Sequence, residues 1–287
     1  IWSAFAARDG RLLDTALSRF APVPTTSAWA TYLRCHDDIG WAIDDSDAQA
    51  AGINGHAHRN FCADFYGNEF KGSFARGVHF QSNPLTGDRR TSGSAASLIG
   101  IQRAIENKDA ADLSTAINRL ICAYAIVFGF GGIPLLYMGD EIGLFNDWSF
   151  EQDEAKAADN RWLHRPAMNW NTADAAARGE LGHSVAGQIR DRMQRLIETR
   201  KRLNSLHASV ATKVRAGRGQ GVAIFDRMHP AGNIVQVYNL NEANRFVNTD
   251  ELAGLHGTVI DELTGTPIAL NEGISLAPYE VRWLRQA

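Results

Sequence analysis

Cysteine is scarce in this sequence, and the three residues present, Cys35, Cys62 and Cys122, form no CxxC pair. An odd number of cysteines without close pairs argues against a disulfide framework and against a zinc ribbon. We therefore expect a reducing compartment and a cytoplasmic protein, with secretion left open. The opening residues IWSAFAARDG also lack the basic and apolar segments of a signal peptide, and we expect the chain to be a piece of a longer one.

An excess of charge of one sign is missing as well. The chain has 29 Lys and Arg against 32 Asp and Glu, and its net charge is −3. Without a basic field, nucleic acid is a poor partner, and a neutral small molecule fits better. Apolar residues make up 45% of the 287 residues, which is enough for a packed core in one large domain with a small one attached, or in two ordinary domains.

A long unbroken hydrophobic run is also absent. Residues 121–139 carry no charge, but Gly129, Gly131, Gly132 and Pro134 interrupt them and leave two halves that are each too short to span a bilayer. We expect a buried helix, a tight loop and a buried strand here, and no membrane partner.

Helical and strand patterns alternate over the first two thirds of the chain. Apolar spacing predicts helices over 3–19, 111–128 and 187–203, and strands over 29–35 and 133–139. Long polar excursions, 38–95 and 142–185, follow the two strands. This order is typical of βα repeats with parallel strands, and two such units are the end of a (β/α)8 barrel. The sequence therefore predicts an α/β fold, with a partial TIM barrel over 1–205 and an inserted subdomain over about 38–95.

The pattern changes from about residue 208 onward. The stretches GVAIFDR, NIVQVYNLN, ISLAP and YEVRWLR are short, and several alternate between apolar and polar residues. This spacing predicts an all-β antiparallel sandwich domain over 206–287.

Three titratable residues in a row, His36, Asp37 and Asp38, end the first predicted strand in YLRCHDDIGW. We call them the triplet. One interpretation is a cap, in which an Asp carboxylate accepts backbone N–H groups of the next turn. Another is a metal site completed by His56 and His58, although an HxH pair in a Gly-rich loop is a weak indication. A third is function, because strand ends of this kind form the active-site face of a barrel.

The residues of RCHDDIGW resemble the strand-end motif of the amylosucrase and sucrose hydrolase group within the α-amylase superfamily. Further stretches agree with that group in order and spacing: SFARGVHFQSNPLTGDRRTSGSAASL, GGIPLLYMGDEIGLFND, QDEAKAADNRWLHRPAM and LAPYEVRWL. The similarity extends through nearly the whole chain.

The resemblance implies that sucrose is cleaved by a retaining double displacement that needs no cofactor and no metal. Asp37 matches the carboxylate that stabilises the oxocarbenium-like transition state, and His36 matches the histidine that bonds the glucosyl hydroxyls. The nucleophile and the general acid belong to earlier barrel strands and lie outside this chain. Asp140 and Glu141 follow the last strand, where the group does not place its acid.

The resemblance also implies a set of sugar-binding residues. Arg161 matches an arginine that pairs with an upstream acid behind the glucose pocket. Matches to the fructosyl and acceptor subsites are Asp38, Arg59, Gln81, Asn83 and Arg90. For each arginine taken alone, the simpler interpretation is a solvated ion pair that contributes under about 1 kcal/mol. Ser82 stands where the group usually has an aromatic residue, which leaves the acceptor preference open.

The expected function is therefore transfer of glucose from sucrose to a growing α-1,4-glucan, with release of fructose. Two alternatives remain open: sucrose hydrolysis, and a non-catalytic carbohydrate-binding fragment. The expected partners are sucrose and an α-glucan acceptor, and the oligomeric state is not predicted.

Overall fold

The structure is a computed structural model that describes residues 1–21, 23–24, 26–215 and 221–287. The α-helices among these residues are α1 (Trp2–Ala7), α2 (Arg11–Ser18), α3 (Asp45–Ala50), α4 (Gly55–Tyr66), α5 (Ala95–Leu98), α6 (Ile101–Glu106), α7 (Ala110–Phe130), α8 (Trp170–Ala177) and α9 (Val185–Arg202). Short 3-10 turns cover Asp140–Ile142, Trp148–Gln152, Asn160–His164, Asn204–Leu206 and Thr249–Leu252.

The strands are β1 (Ala30–Tyr32), β2 (Val78–Phe80), β3 (Arg90–Ser92), β4 (Ile133–Leu135), β5 (Thr212–Val214), β6 (Val222–Arg227), β7 (Ile234–Asn239), β8 (Arg245–Asn248), β9 (Gly257–Asp261), β10 (Thr266–Leu270), β11 (Gly273–Leu276) and β12 (Val281–Gln286). β5, β6, β7, β12, β9 and β10 lie side by side in a six-stranded sheet, and every pairing in it is antiparallel. β1 pairs with β4, β2 with β3, and β8 with β11.

The chain divides into two compact units that alternate along the sequence. Unit 1 comprises Ile1–Thr31, Ile121–Leu135 and Met193–Ala287, and unit 2 comprises Tyr32–Leu120 and Leu136–Arg192. The predicted boundary at 205/206, between a partial barrel and a sandwich, stays a prediction.

Unit 1 is built on the six-stranded sheet, which confirms an antiparallel sheet in the C-terminal part. β6 and β7 are buried along their whole length, because both of their faces are covered. Ile224 and Val237 on one face join an apolar core with Val247 of β8 and Ile274 of β11. The apolar residues of the alternating pattern predicted for these strands therefore face this shared core.

The other face of the sheet meets the C-terminal half of α7. Arg227 Nη1 donates to the Gly129 carbonyl at 3.1 Å, Gln236 Nε2 donates to the same oxygen at 3.2 Å, and the Tyr238 hydroxyl donates to Ala125 at 3.3 Å. The last carbonyls of a helix lack partners within the helix itself. Arg227 and Gln236 supply such partners for Gly129, whereas Tyr238 adds a bond to a carbonyl one turn earlier in the helix.

The predicted helix over 3–19 is wrong as a single helix, since α1 and α2 are separated at Arg8. Arg8 has a left-handed backbone (φ 54), which ends α1. The Asp9 carboxylate then accepts the backbone N–H of Arg11 at 2.9 Å, so it starts a new helix instead of extending the first.

The uncharged run 121–139 forms a helix, a glycine turn and a strand, as predicted. α7 ends at Phe130, and Gly131 and Gly132 have φ angles of 123° and 69° that glycine adopts at low cost. α7 extends back to Ala110, so by length and composition it could cross a membrane. However, 72% of its most apolar window is buried within the protein. A mostly buried helix of this kind is equally typical of a protein core.

The prediction that the first two strands are buried is wrong for β1 and β4. Tyr32, Ile133 and Leu135 are 51%, 55% and 47% exposed. Among the described residues, these two strands pair with each other alone, and no further strand extends their sheet. The (β/α)8 barrel therefore stays a prediction.

The polar excursion 38–95 lies in unit 2 and contains regular structure, namely α3, α4, β2 and β3. Asp44 and Asn54 cap α3 and α4 through their side-chain oxygens. The aromatic residues of the segment pack together with ring-centroid distances from 4.9 to 6.3 Å: Phe61, Phe65, Tyr66, Phe70 and Phe74. Clustered aromatic rings supply a core despite the polar composition. The assignment of this segment as an inserted subdomain stays a prediction.

Candidate functional site

The backbone on either side of the triplet is anchored within unit 2. After the triplet, Ile39 and Thr91 exchange backbone hydrogen bonds of 2.8 and 3.0 Å. Trp41 stacks on Tyr66 with a centroid distance of 5.3 Å, and its indole N–H donates to the Thr91 hydroxyl at 3.2 Å. The chain that follows the triplet is therefore held directly against the packed part of the excursion.

A buried ion pair lies just before the triplet. Arg34 and Asp140, each with at most 1% of its side chain exposed, form bonds of 2.7 to 3.1 Å through Nε and Nη2. The Arg34 guanidinium also lies 4.5 Å from the Tyr137 ring centroid. This pair joins the segment that follows β1 to the segment that follows β4. Asp140 thus has a positioning role, and the Glu141 carboxylate accepts the Gly139 N–H at 2.7 Å.

Two side chains hold the backbone carbonyl of His36. His164 Nε2 lies 3.2 Å from this oxygen, and Arg165 Nε donates to it at 2.6 Å. His164 Nδ1 accepts the Gly93 N–H at 3.2 Å, so the proton of the neutral ring is on Nε2. Burial, reinforced by the charge of Arg34, lowers the pKa of His164 to about 4. The imidazole of His36 itself is exposed.

Asp37 and Asp38 are neighbours whose pKa values are shifted in opposite directions. The hydrogen bond from Arg161, with a further contribution from Asp38, lowers the pKa of Asp37 to about 2, and this carboxylate is 47% exposed. Burial, followed by the proximity of Asp37, raises the pKa of Asp38, whose side chain is 1% exposed. Asp37 is therefore an ionised, accessible anion at neutral pH.

Arg161 is held by two carboxylates in unit 2. Its Nε and Nη2 contact Asp159 at 2.8 to 3.1 Å, and its Nη1 lies 3.2 Å from Asp37. The Phe80 ring lies 5.3 Å from the guanidinium. A bidentate partner fixes the plane of the guanidinium, so Arg161 presents one defined N–H edge to Asp37.

Four of the predicted subsite residues line one cavity of about 490 Å³: Arg59, Gln81, Asn83 and Arg90. Arg90 Nη1 is 3.1 Å from Asp38 Oδ2, which brings the fifth predicted residue to the edge of this group. Arg59 Nη1 bonds Asp45 at 2.7 Å and the Ile43 carbonyl at 2.9 Å. The Asn83 oxygen accepts the Leu85 N–H at 2.9 Å, so it shapes the loop as well as facing the cavity.

The metal interpretation finds little support in the geometry. Among the described residues, the His, Cys, Asp and Glu side chains close enough to share one ion are Asp64, Glu69 and His79. None of these belongs to the triplet or to the HxH pair. Arg89 Nη1 lies 2.8 Å from Asp64, so a cationic group already pairs with one carboxylate of this cluster.

Sequence reasoning missed Arg34, His164 and Arg165. A usable signal existed for Arg34, because a charge inside the apolar run ATYLRC must find a buried partner. His164 and Arg165 stand in the conspicuous stretch ADNRWLHRP, although nothing in the pattern indicates that they contact His36.

Comparison with known proteins gives one family and several structures. Residues 213–285, about a quarter of the chain, match the family model for the amylosucrase C-terminal domain. Similar solved structures include AmyP in complex with maltose, with 18% identity over 59% of this chain and 34% of that chain at a TM-score of 0.47. An Anoxybacillus alpha-amylase has 19% identity over 65% and 35% at a TM-score of 0.44.

A third similar structure is the alpha-amylase GTA from Geobacillus thermoleovorans complexed with acarbose, with 18% identity over 65% of this chain and 36% of that chain at a TM-score of 0.42. This chain spans about a third of the length of these proteins. TM-scores below 0.5 do not define a shared fold, so the family match carries more weight. The last quarter of the chain is therefore similar to the amylosucrase C-terminal domain.

Proposed function

We propose that the chain is the C-terminal part of a retaining α-glucosyl transferase that cleaves sucrose, builds α-1,4-glucan and releases fructose. The observation that carries this proposal is the triplet, with a half-exposed, ionised Asp37 fixed by Arg161, in a chain whose C-terminal residues match an amylosucrase domain. An anion in a fixed position stabilises the positive charge that develops at an anomeric carbon more than it stabilises neutral sucrose.

In this proposal the residues divide into two groups. Asp37 stabilises the transition state, and His36 bonds hydroxyls of the glucosyl ring. The fructosyl unit and the glucan acceptor occupy the cavity lined by Arg59, Gln81, Asn83 and Arg90, beside Asp38. The nucleophile and the acid come from a preceding part of a longer protein, whose strands would also cover the exposed side chains of β1 and β4.

The test is an assay of the longer protein with sucrose as the sole sugar. Transfer predicts more fructose than free glucose, together with polymer that stains with iodine. Glucose and fructose in equal amounts, without polymer, identify a hydrolase, which is the second candidate. If the longer protein leaves sucrose intact, both proposals are wrong.

The 287-residue chain alone is expected to leave sucrose uncleaved, because it supplies one of the three carboxylates that the reaction requires. Measurable cleavage by this chain would mean that the catalytic set has been misassigned. Binding of glucose or maltose without turnover is the behaviour expected of a carbohydrate-binding fragment.

A further inference from the structure

His164 makes an unusual bridge between two backbone segments of unit 2. Its side chain is buried, with 1% of the residue exposed. Nδ1 accepts the N–H of Gly93, just after β3, and Nε2 donates to the carbonyl of His36 in the triplet. The His164 backbone carbonyl accepts Nη1 of Arg34 at 3.1 Å, which links the bridge to the buried Arg34–Asp140 pair.

We propose that His164 is a positioning residue, whose neutral imidazole fixes the backbone of His36 and so aims the Asp37 carboxylate at Arg161 and at the sugar. The geometric part of this inference stands on the contacts above, and its consequence for turnover rests on the proposed function.

The direction of each hydrogen bond requires the neutral ring. A doubly protonated imidazole would place an N–H of Nδ1 against the N–H of Gly93, where two donors repel. The charged groups that face the ring are Arg34, Arg165 and Asp37, and the two arginines favour the neutral form. Arg165 donates to the same His36 oxygen from an exposed position, where water competes for the bond. The buried His164 is therefore the rigid one of the two donors.

Two variants separate the two ends of the bridge. In His164→Asn the amide oxygen stands near the position of Nδ1 and keeps the bond from Gly93, whereas the donor to His36 is lost. In His164→Gln the amide nitrogen reaches the position of Nε2 and keeps the donor to His36. The two side chains have the same polar group and differ by one methylene, so each is the matched control of the other.

The measured quantity is the pKa of Asp37, which carboxyl carbon NMR determines in the 287-residue chain. This pKa is about 2 while Arg161 bonds the carboxylate, and the ordinary value is 3.8. We expect His164→Asn to shift it upward toward 3.8, and His164→Gln to keep it near the original value. Unchanged titration in both variants, or an equal upward shift in both with the Gly93 amide still protected, overturns the inference.

The unmodified chain provides a check that does not depend on how the variants fold. Nitrogen NMR should find the His164 ring neutral and protonated on Nε2 at pH 6, and a doubly protonated ring at that pH overturns the inference. In the longer protein, His164→Asn should lower sucrose turnover about 100-fold, the scale of a 1 Å misplacement, and His164→Gln should recover most of the loss.

The outcomes distinguish this inference from the proposed function. If the NMR results hold and the unmodified longer protein does not cleave sucrose, the proposed function is wrong and the positioning role stands. If the unmodified protein cleaves sucrose and His164→Asn does so equally fast, the positioning role is wrong and the proposed function stands.

Discussion

The sheet of unit 1 and the surroundings of the triplet in unit 2 are stabilised by different physics. The sheet buries Ile224, Val237 and similar side chains against β8 and β11, and such contacts are non-directional. Around the triplet, Arg34, Asp140 and His164 are joined by hydrogen bonds with fixed distances and donors. An apolar core tolerates exchange of similar volumes, whereas a polar network defines the position of each atom. The positions of individual atoms are therefore defined more strictly around the triplet than in the sheet.

The largest expected effect comes from breaking the buried pair of unit 2. Arg34→Met leaves the Asp140 charge buried without its partner, so we expect the free energy of unfolding to fall by about 3–5 kcal/mol in urea denaturation. Replacing both members, Arg34→Met with Asp140→Leu, should recover much of this loss. A double variant as unstable as the sum of the two single variants would contradict the account.

A core truncation in unit 1 should have a similar or slightly smaller effect. Ile224→Ala removes buried methyl groups and leaves a cavity, so we expect a loss of about 2–5 kcal/mol in the free energy of unfolding. Lys213→Ala, on the exposed face of β5 in the same sheet, is the control and should change it by less than about 0.5 kcal/mol. Equal losses in both variants would mean that the sheet lacks a packed core.

A buried carboxyl group in unit 1 should make stability depend on pH. Neither oxygen of Asp14 has a hydrogen-bond partner among the described residues, and burial, followed by the charge of Asp9, raises the pKa of Asp14 from 3.8 to about 7. The folded protein therefore holds this proton more tightly than the unfolded chain does. The contribution of Asp14 to stability is complete below pH 3.8 and is lost as the pH rises through about 7.

The comparison with Asp14→Asn measures this effect directly. The free energy of unfolding of Asp14→Asn, relative to that of the unmodified protein, should increase by up to about 1.4 kcal/mol per pH unit between pH 4 and 7. Urea denaturation at a series of pH values measures this difference. A constant difference across that range would mean that Asp14 titrates normally in the folded protein.

The smallest effect is expected at an exposed ion pair of unit 2. Arg178 and Glu180 are 58% and 55% exposed and lie 2.8 Å apart. Glu180→Gln should change the free energy of unfolding by less than about 1 kcal/mol, and added salt should reduce this change further. If Glu180→Gln lowers the free energy of unfolding as much as Arg34→Met does, burial does not explain the strength of the Arg34–Asp140 pair.

Local patterns predicted two of the three long helices and the antiparallel strands, whereas the predicted helix over 3–19 is broken at Arg8. α7 and α9 begin and end within two residues of the predicted 111–128 and 187–203, because the spacing of apolar residues follows the helix period directly. The network around the triplet was beyond such reasoning. Arg34 and Asp140 are 106 residues apart, and His164 and His36 are 128 apart. No local periodicity links residues at such separations.

The exposed strands show a further reason for error. The apolar residues of β1 and β4 predicted burial, since such runs are buried in parallel sheets. Burial, however, depends on which elements lie next to a strand, and among the described residues these two strands have only each other in their sheet. Arg161 was predicted from the motif context, whereas its bonds to Asp159 and Asp37 required coordinates.

The most direct test of the proposed chemistry is the turnover of sucrose by the longer protein that carries Asp37→Asn. Asp174→Asn, an equally small change on the exposed face of α8, is the control and should leave turnover unaltered. Loss of an ionised group aimed at a developing charge predicts a decrease of about 100-fold or more for Asp37→Asn. Turnover within about threefold of the unmodified protein would contradict the assignment of Asp37 and with it the proposed site.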